Sequence, residues 1–187
     1  MSNSSQFIVD KNQVCWFVMR AYKSEAFVEE KLRAQKELQF FIPKQYVVRV
    51  YHGKKTRKLV PVISSIIFIY GSRVQISEFK QRCESLQFVM WRKSTGPEFM
   101  TVPEDQMQNF MKVASDLERS NTYFRPEELH LKKGTKVRII GGGSLDGTVG
   151  YFEKVKNSRS RKLVVILEGI SAIVTEVSPD LVEVLKD

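Results

Sequence analysis

The sequence predicts an α+β protein of two domains: an α/β sandwich of antiparallel sheet and helices, followed by a small all-β barrel. Three observations predict it. Residues 14 to 116 alternate β-rich apolar runs with stretches of helical period. Residues 117 to 131 lose that period and carry a proline. Residues 132 to 155, KKGTKVRIIGGGSLDGTVGYFEKV, set strand-forming residues between glycines where a small barrel must turn sharply. With 187 residues, 42% of them apolar, the chain can bury one core of ordinary size or two small ones. The expected division is an N-terminal extension at 1–13, a first domain at 14–116, a linker at 117–131 and a second domain at 132–187.

In the first domain, Cys15 to Ala21 reads as a buried strand, and Ser24 is placed to cap a helix from Glu25 to about Lys36, with Val28 and Leu32 on its inner face. After Pro43, Gln45 to Tyr51 and Thr56 to Val62 form a hairpin whose tip holds His52, Gly53, Lys54 and Lys55. The apolar run Ile66 to Tyr70 suits the middle of a sheet. A second helix is expected over Val74 to Glu84, a strand over Leu86 to Trp91, and a third helix after Pro103. Met107, Phe110, Met111, Ala114 and Leu117 give that third helix one apolar face. In the second domain, Thr135 to Ile140 alternates, with Val137 and Ile139 facing a core and Lys136 and Arg138 facing water; a strand resumes from Val149 to Val155.

The net charge of +9 is unevenly spread. Residues 1 to 116 carry 18 basic and 11 acidic groups, and residues 117 to 187 carry 12 and 10, so attraction to polyanions is expected mainly in the first domain. Its densest cluster is Lys44, Arg49, Lys54, Lys55, Arg57 and Lys58, with no acid between them. A second cluster comprises Lys154, Lys156, Arg159, Arg161 and Lys162.

Several classes are set aside on chemistry. Gly142 and Gly147 have the offset of a phosphate-binding loop, but Thr148 stands where that loop needs lysine and a strand follows in place of a helix. Cys15 and Cys83 are too few and too distant for a zinc cluster and read as packing residues. His52 and His130, the two histidines, lack an acid, base and nucleophile set, so no enzyme, metal or cofactor is expected. No run reaches the length of a membrane span and the N-terminus lacks the pattern of a secretion signal, so a cytoplasmic protein is expected. Separately, the chain is expected to act as a monomer.

The glycine-punctuated segment resembles the KOW motif of transcription factors and ribosomal proteins, with Gly147 at the motif's characteristic glycine. By itself this leaves transcription and translation equally open. The order strand, helix, hairpin, strand, helix, strand, helix, then linker and KOW module resembles the NusG family of transcription elongation factors over about residues 14 to 187. Its marks are Trp16 and Phe17, then Phe41, Ile42 and Pro43, then Gly53, Lys54 and Lys55, and Pro61 before Phe68. Where the family usually reads leucine, phenylalanine, proline, glycine, tyrosine, this chain has Val62, Ile63, Ser64, Ser65 and Ile66. In this it is similar to specialised paralogues of Bacteroides-type bacteria that regulate capsule and surface-polysaccharide operons.

The resemblance implies a NusG-like sandwich and an SH3-like KOW barrel, acting together as an antitermination factor. It implies contact with the clamp helices of RNA polymerase through Phe17, Ile66, Phe68 and Phe88, for each of which ordinary core is the alternative. It implies contact with upstream or non-template DNA through Lys54, Lys55, Arg57 and Lys58, with Tyr51 available to stack on a base. The barrel loops holding Gly143, Ser144, Leu145 and Gly147, and Gly169, Ile170 and Ile173, would meet a ribosomal protein or a termination factor. A ribosome-associated RNA-binding protein is the rival reading.

Overall fold

The computed structural model describes residues 11–22, 25–94, 96–125, 134–141, 143–154 and 161–185. The expected cap Ser24, and Pro126, His130, Gly142, Lys156 and Arg159, lie outside these. In chain order the elements begin with strand β1 (Val14–Ala21), helix α1 (Glu25–Ala34), and strands β2 (Gln39–Phe41), β3 (Lys44–Tyr51), β4 (Lys54–Pro61) and β5 (Ile66–Ser72). Helix α2 (Arg73–Lys80) leads to β6 (Leu86–Phe88), β7 (Met90–Lys93), β8 (Gly96–Phe99) and β9 (Thr101–Val102). Helix α3 (Glu104–Ala114) is followed by β10 (Thr122–Phe124), β11 (Thr135–Ile139), β12 (Val149–Lys154), β13 (Arg161–Leu167), β14 (Ser171–Thr175) and β15 (Val182–Val184). The chain divides into two compact units, Met1–Ile42 with Ser64–Pro103, and Pro43–Ile63 with Glu104–Asp187. By this division the β3–β4 hairpin and α3 group with the C-terminal strands, whereas the sequence boundaries place them in the first domain.

The first unit is built on an antiparallel sheet in the order β2-β5-β1-β6, with β9 also pairing β1. Because successive strand residues point to opposite faces, the β1–β5 register assigns each apolar residue a side. Phe17 and Met19 pair with Ile69 and Ile67 and join the core that includes Val28 and Leu32 of α1 and Ile76 and Phe79 of α2. Trp16 and Val18 pair with Tyr70 and Phe68 on the other face.

Local chemistry sets the helix limits. In α1 a Glu29–Arg33 ion pair of 2.7 Å spans one turn. The helix stops at Ala34, short of the expected Lys36, because the Gln35 amide donates to the Leu32 and Leu38 carbonyls and accepts from the Glu37 and Leu38 N–H groups. A capping box starts α2, with Ser72 accepting from the Gln75 N–H and the Gln75 side chain accepting from the Ser72 N–H. The single strand expected over Leu86 to Trp91 is two strands in two sheets, parted at Val89, whose N–H donates to the Val18 carbonyl and whose carbonyl accepts from Met100.

In the second unit, β3 and β4 form a two-stranded ribbon closed by a two-residue turn in which both His52 (φ 48°) and Gly53 (φ 74°) are left-handed. The C-terminal strands form an antiparallel sheet in the order β10-β14-β13-β12-β11-β15. Among the described residues β10 and β15 stand at opposite ends of this order, so the sheet is open and the expected closed barrel is not present. Part of the expected linker, Thr122–Phe124, is the sheet's end strand. Val137 and Ile139 are buried while Lys136 and Arg138 are exposed. Helix α3 lies on β13 and β14. Its buried face is Met107, Phe110, Val113 and Ala114; Met111 and Leu117, expected there, are half-buried, and Val113 takes the inner position.

Candidate polymerase and nucleic-acid interfaces

The four apolar residues expected to grip polymerase do not share a surface. Phe88 pairs with Met19 and so lies on the Phe17 face, whereas Ile66 and Phe68 lie on the opposite one. Phe17 and Phe68 are fully buried and Ile66 nearly so; Phe88 is half-buried. Phe17 and Phe88 meet edge to face at 5.6 Å, and Phe99, a residue the sequence reading missed, joins them at 6.3 and 4.9 Å. Phe99 sits in a short strand with no periodic pattern to mark it. Two cations of α2 cover these rings, Lys80 Nζ 5.4 Å from the centre of Phe88 and the Arg73 guanidinium 5.2 Å from that of Phe99. The partly exposed part of the expected patch is therefore an aromatic cluster under positive charge.

The segment that departs from the family pattern has a defined geometry. Ser65 adopts φ 62°, a left-handed conformation that glycine enters without strain. Its N–H donates to Glu25 Oε1 at 2.6 Å and its carbonyl accepts from the Ala21 N–H at 2.8 Å. Both bonds hold the turn in place of the missing glycine.

The expected nucleic-acid residues all lie on the β3–β4 ribbon and are exposed. Tyr51 is 72% exposed, and its ring meets that of His52 at 4.2 Å beside the tip. The Arg57 guanidinium stacks over the Tyr46 ring at 3.8 Å and reaches Glu118 at 3.5 Å. Such an exposed ion pair is weak enough to be exchanged for a phosphate. In the second basic cluster, Lys162 pairs with Glu176 at 2.9 Å, and Lys154 stands opposite Arg161 across β12 and β13.

Of the expected C-terminal partner residues, Gly143, Ser144, Gly147 and Gly169 are exposed and Ile170 is half-buried. Leu145 and Ile173 are buried and belong to the core: Ile173 lies within β14 opposite Val165 and so cannot serve in a loop. The 143–147 loop is held by α3 and the turn after it. Lys112 Nζ donates to the Asp146 carbonyl at 2.6 Å, and Ser144 Oγ donates to Asp116 Oδ2 at 2.5 Å. The Ser144 hydroxyl is the main cause holding the Asp116 carboxyl below its ordinary pKa, with Arg119 assisting against the opposing effect of burial.

Among the described residues no group of three or more His, Cys, Asp or Glu side chains is placed to hold a metal, and no helix is long and apolar enough to cross a membrane. Residues 14–111 match the family model described as transcription termination factor nusG. Comparison with curated proteins gives no match. Among solved structures the chain is similar to that described as "Domain interaction in Thermotoga maritima NusG", with 19% identity over 93% of this chain and 98% of that one, at a TM-score of 0.43.

Proposed function

This chain belongs to the NusG family, whose members are non-catalytic transcription proteins, and from that premise we propose that it regulates elongation by binding RNA polymerase and the DNA beside it. The observation that carries the reading is the β3–β4 ribbon. It lies within the family-matched residues, and from Lys44 to Pro61 it carries six cations and no acid. Phosphates attract such a surface in a salt-dependent way. A bridge between polymerase and upstream or non-template DNA suppresses pausing or termination if it binds the active polymerase conformation more tightly than the paused one.

The polymerase contact is assigned to the first unit, at Phe88 and the cations around it. Phe17, Ile66 and Phe68 belong to the same proposed contact but, being buried, act on it by shaping the sheet. The clamp helices are the proposed docking site. The substitution of Ser64, Ser65 and Ile66 in the family's pattern supports a specialised, operon-specific antiterminator, of the kind that serves capsule operons. A KOW-type role is assigned to the C-terminal sheet, whose exposed Gly143, Ser144, Gly147 and Gly169, with half-buried Ile170, are the proposed contact for a ribosomal protein or termination factor.

The test is binding of the purified protein to bacterial core RNA polymerase in competition with the same organism's general NusG protein. Mutual displacement supports a shared clamp site. A folded protein that does not bind polymerase but co-purifies with ribosomes instead supports the rival RNA-binding reading, which the same cations would serve.

A further inference from the structure

The cations of the β3–β4 ribbon are divided between its two faces. In the register, Lys55 stands opposite Val50 and Arg57 opposite Val48, so these two cations, with Lys44, share a face with Tyr46, Val48 and Val50. Lys58 stands opposite Val47, Lys54 opposite Tyr51 and Thr56 opposite Arg49, which puts Lys54, Lys58 and Arg49 on the other face. Among the described residues neither strand pairs with a third. Exposure is high on both sides, with Val48 and Val50 at 60% and 65% on one and Tyr51 at 72% on the other.

A ribbon that lay flat on one phosphate backbone would gather its cations on one face and pack or neutralise the other. Here each face carries cations and neither strand contributes an acid; the acid that Arg57 meets at 3.5 Å, Glu118, is a highly exposed side chain from outside the ribbon. Resting on the DNA-binding reading above, we propose that the ribbon enters between two phosphate backbones, one against each face, as in the major groove of a duplex. The dimensions agree. Two strands about 4.8 Å apart stand edge-on within a groove about 8.5 Å deep, and the ribbon's thickness with side chains, about 10 Å, fits a width of about 12 Å. Both walls of that groove are lines of phosphate. Insertion also covers Val48 and Val50, which otherwise remain in water. Arg57, held flat against Tyr46, exchanges Glu118 for one wall.

The experiment measures binding of the full chain to a short duplex, and to one of its single strands, as a function of salt. Two double variants divide the ribbon by face: K54Q with K58Q, and K55Q with R57Q. A control pair, K31Q with K36Q on and just beyond α1, removes the same charge elsewhere. Each ribbon pair is expected to lower the slope of log affinity against log salt on the duplex by about 1 to 2, while the control leaves it unchanged. On the single strand, which offers one backbone, only one ribbon pair is expected to lower it. If only one pair acts on the duplex, or if both act equally on duplex and single strand, the two-backbone proposal is overturned and DNA binding still stands. A control pair that lowers the slope as much also overturns it. Absence of salt-dependent duplex binding by the unmodified protein removes the DNA-binding reading itself.

Discussion

Asn109 Oδ1, on α3, accepts the backbone N–H of Val149 at 2.8 Å, at the first residue of β12. The same side chain donates through Nδ2 to the Asp105 carbonyl one turn back. One amide thus fastens the helix to the strand and keeps a part-buried backbone donor satisfied. Asn109→Ala is expected to cost about 1 kcal/mol or somewhat more, because the Val149 N–H loses its partner. Urea denaturation followed by circular dichroism measures this, and an unchanged midpoint would show that solvent replaces the bond.

Phe68 and Phe88 separate core from contact. Phe68 is fully buried, so Phe68→Ala is expected to destabilise the protein by about 3 to 5 kcal/mol. Phe88→Ala, at a half-buried ring, is expected to cost less stability while weakening polymerase binding. Thermal melts paired with binding assays distinguish the two, and a Phe68→Ala variant as stable as the parent would contradict its burial.

Ser65 stores backbone strain. A left-handed non-glycine residue costs about 1 to 2 kcal/mol, and glycine's greater freedom in the unfolded chain offsets about half of the relief. Ser65→Gly is therefore expected to raise stability by about 0.5 to 1 kcal/mol, since the N–H that donates to Glu25 and the carbonyl that accepts from Ala21 are main-chain groups that glycine keeps. Loss of stability on that substitution would mean that the side chain, and not the turn, matters at this position.

Gly150 has the opposite constraint. A Cβ there would sit 2.7 Å from the Val164 carbonyl oxygen and 2.9 Å from Leu163 Cδ1. The carbonyl belongs to the adjacent strand and cannot move without disturbing the sheet. Gly150→Ala is expected to cost about 1 to 3 kcal/mol, with the loss appearing in chemical denaturation of the C-terminal sheet.

Asp116 links stability to acid. Its carboxyl titrates below the ordinary value of 3.8 when folded, chiefly through the Ser144 hydroxyl. A depressed folded pKa contributes stability that is fully present above the unfolded value and is lost as pH falls through the folded one. The stability gap between the parent and Asp116→Asn is expected to hold at neutral pH and to shrink once pH drops below 3.8. NMR titration of Ser144→Ala should show the Asp116 pKa moving back up.

Much of this was legible in the chain itself. Val28 and Leu32 on a helical period, Val137 and Ile139 on a strand period, and the His52–Gly53 turn between two β-prone runs are all local signals, set by side-chain spacing and allowed φ values. So was the family, through Trp16, Pro43, Gly53 and Pro61 in that order. The basic character of the β3–β4 ribbon follows from composition alone.

Only the tertiary structure decided which residues share a surface. Phe17 and Phe68 look alike in the sequence, yet the β1–β5 register puts them on opposite faces, because a pairing between distant segments determines a residue's side. The same holds for Lys54 and Lys55, adjacent in the chain and divided by the pleat. Helix α3 shows its apolar stripe in the sequence, but its place on β13 and β14, with Lys112 and Asp116 holding the 143–147 loop, comes from contacts between residues far apart in the chain. Spacing along a chain specifies elements; faces and partners depend on how those elements meet.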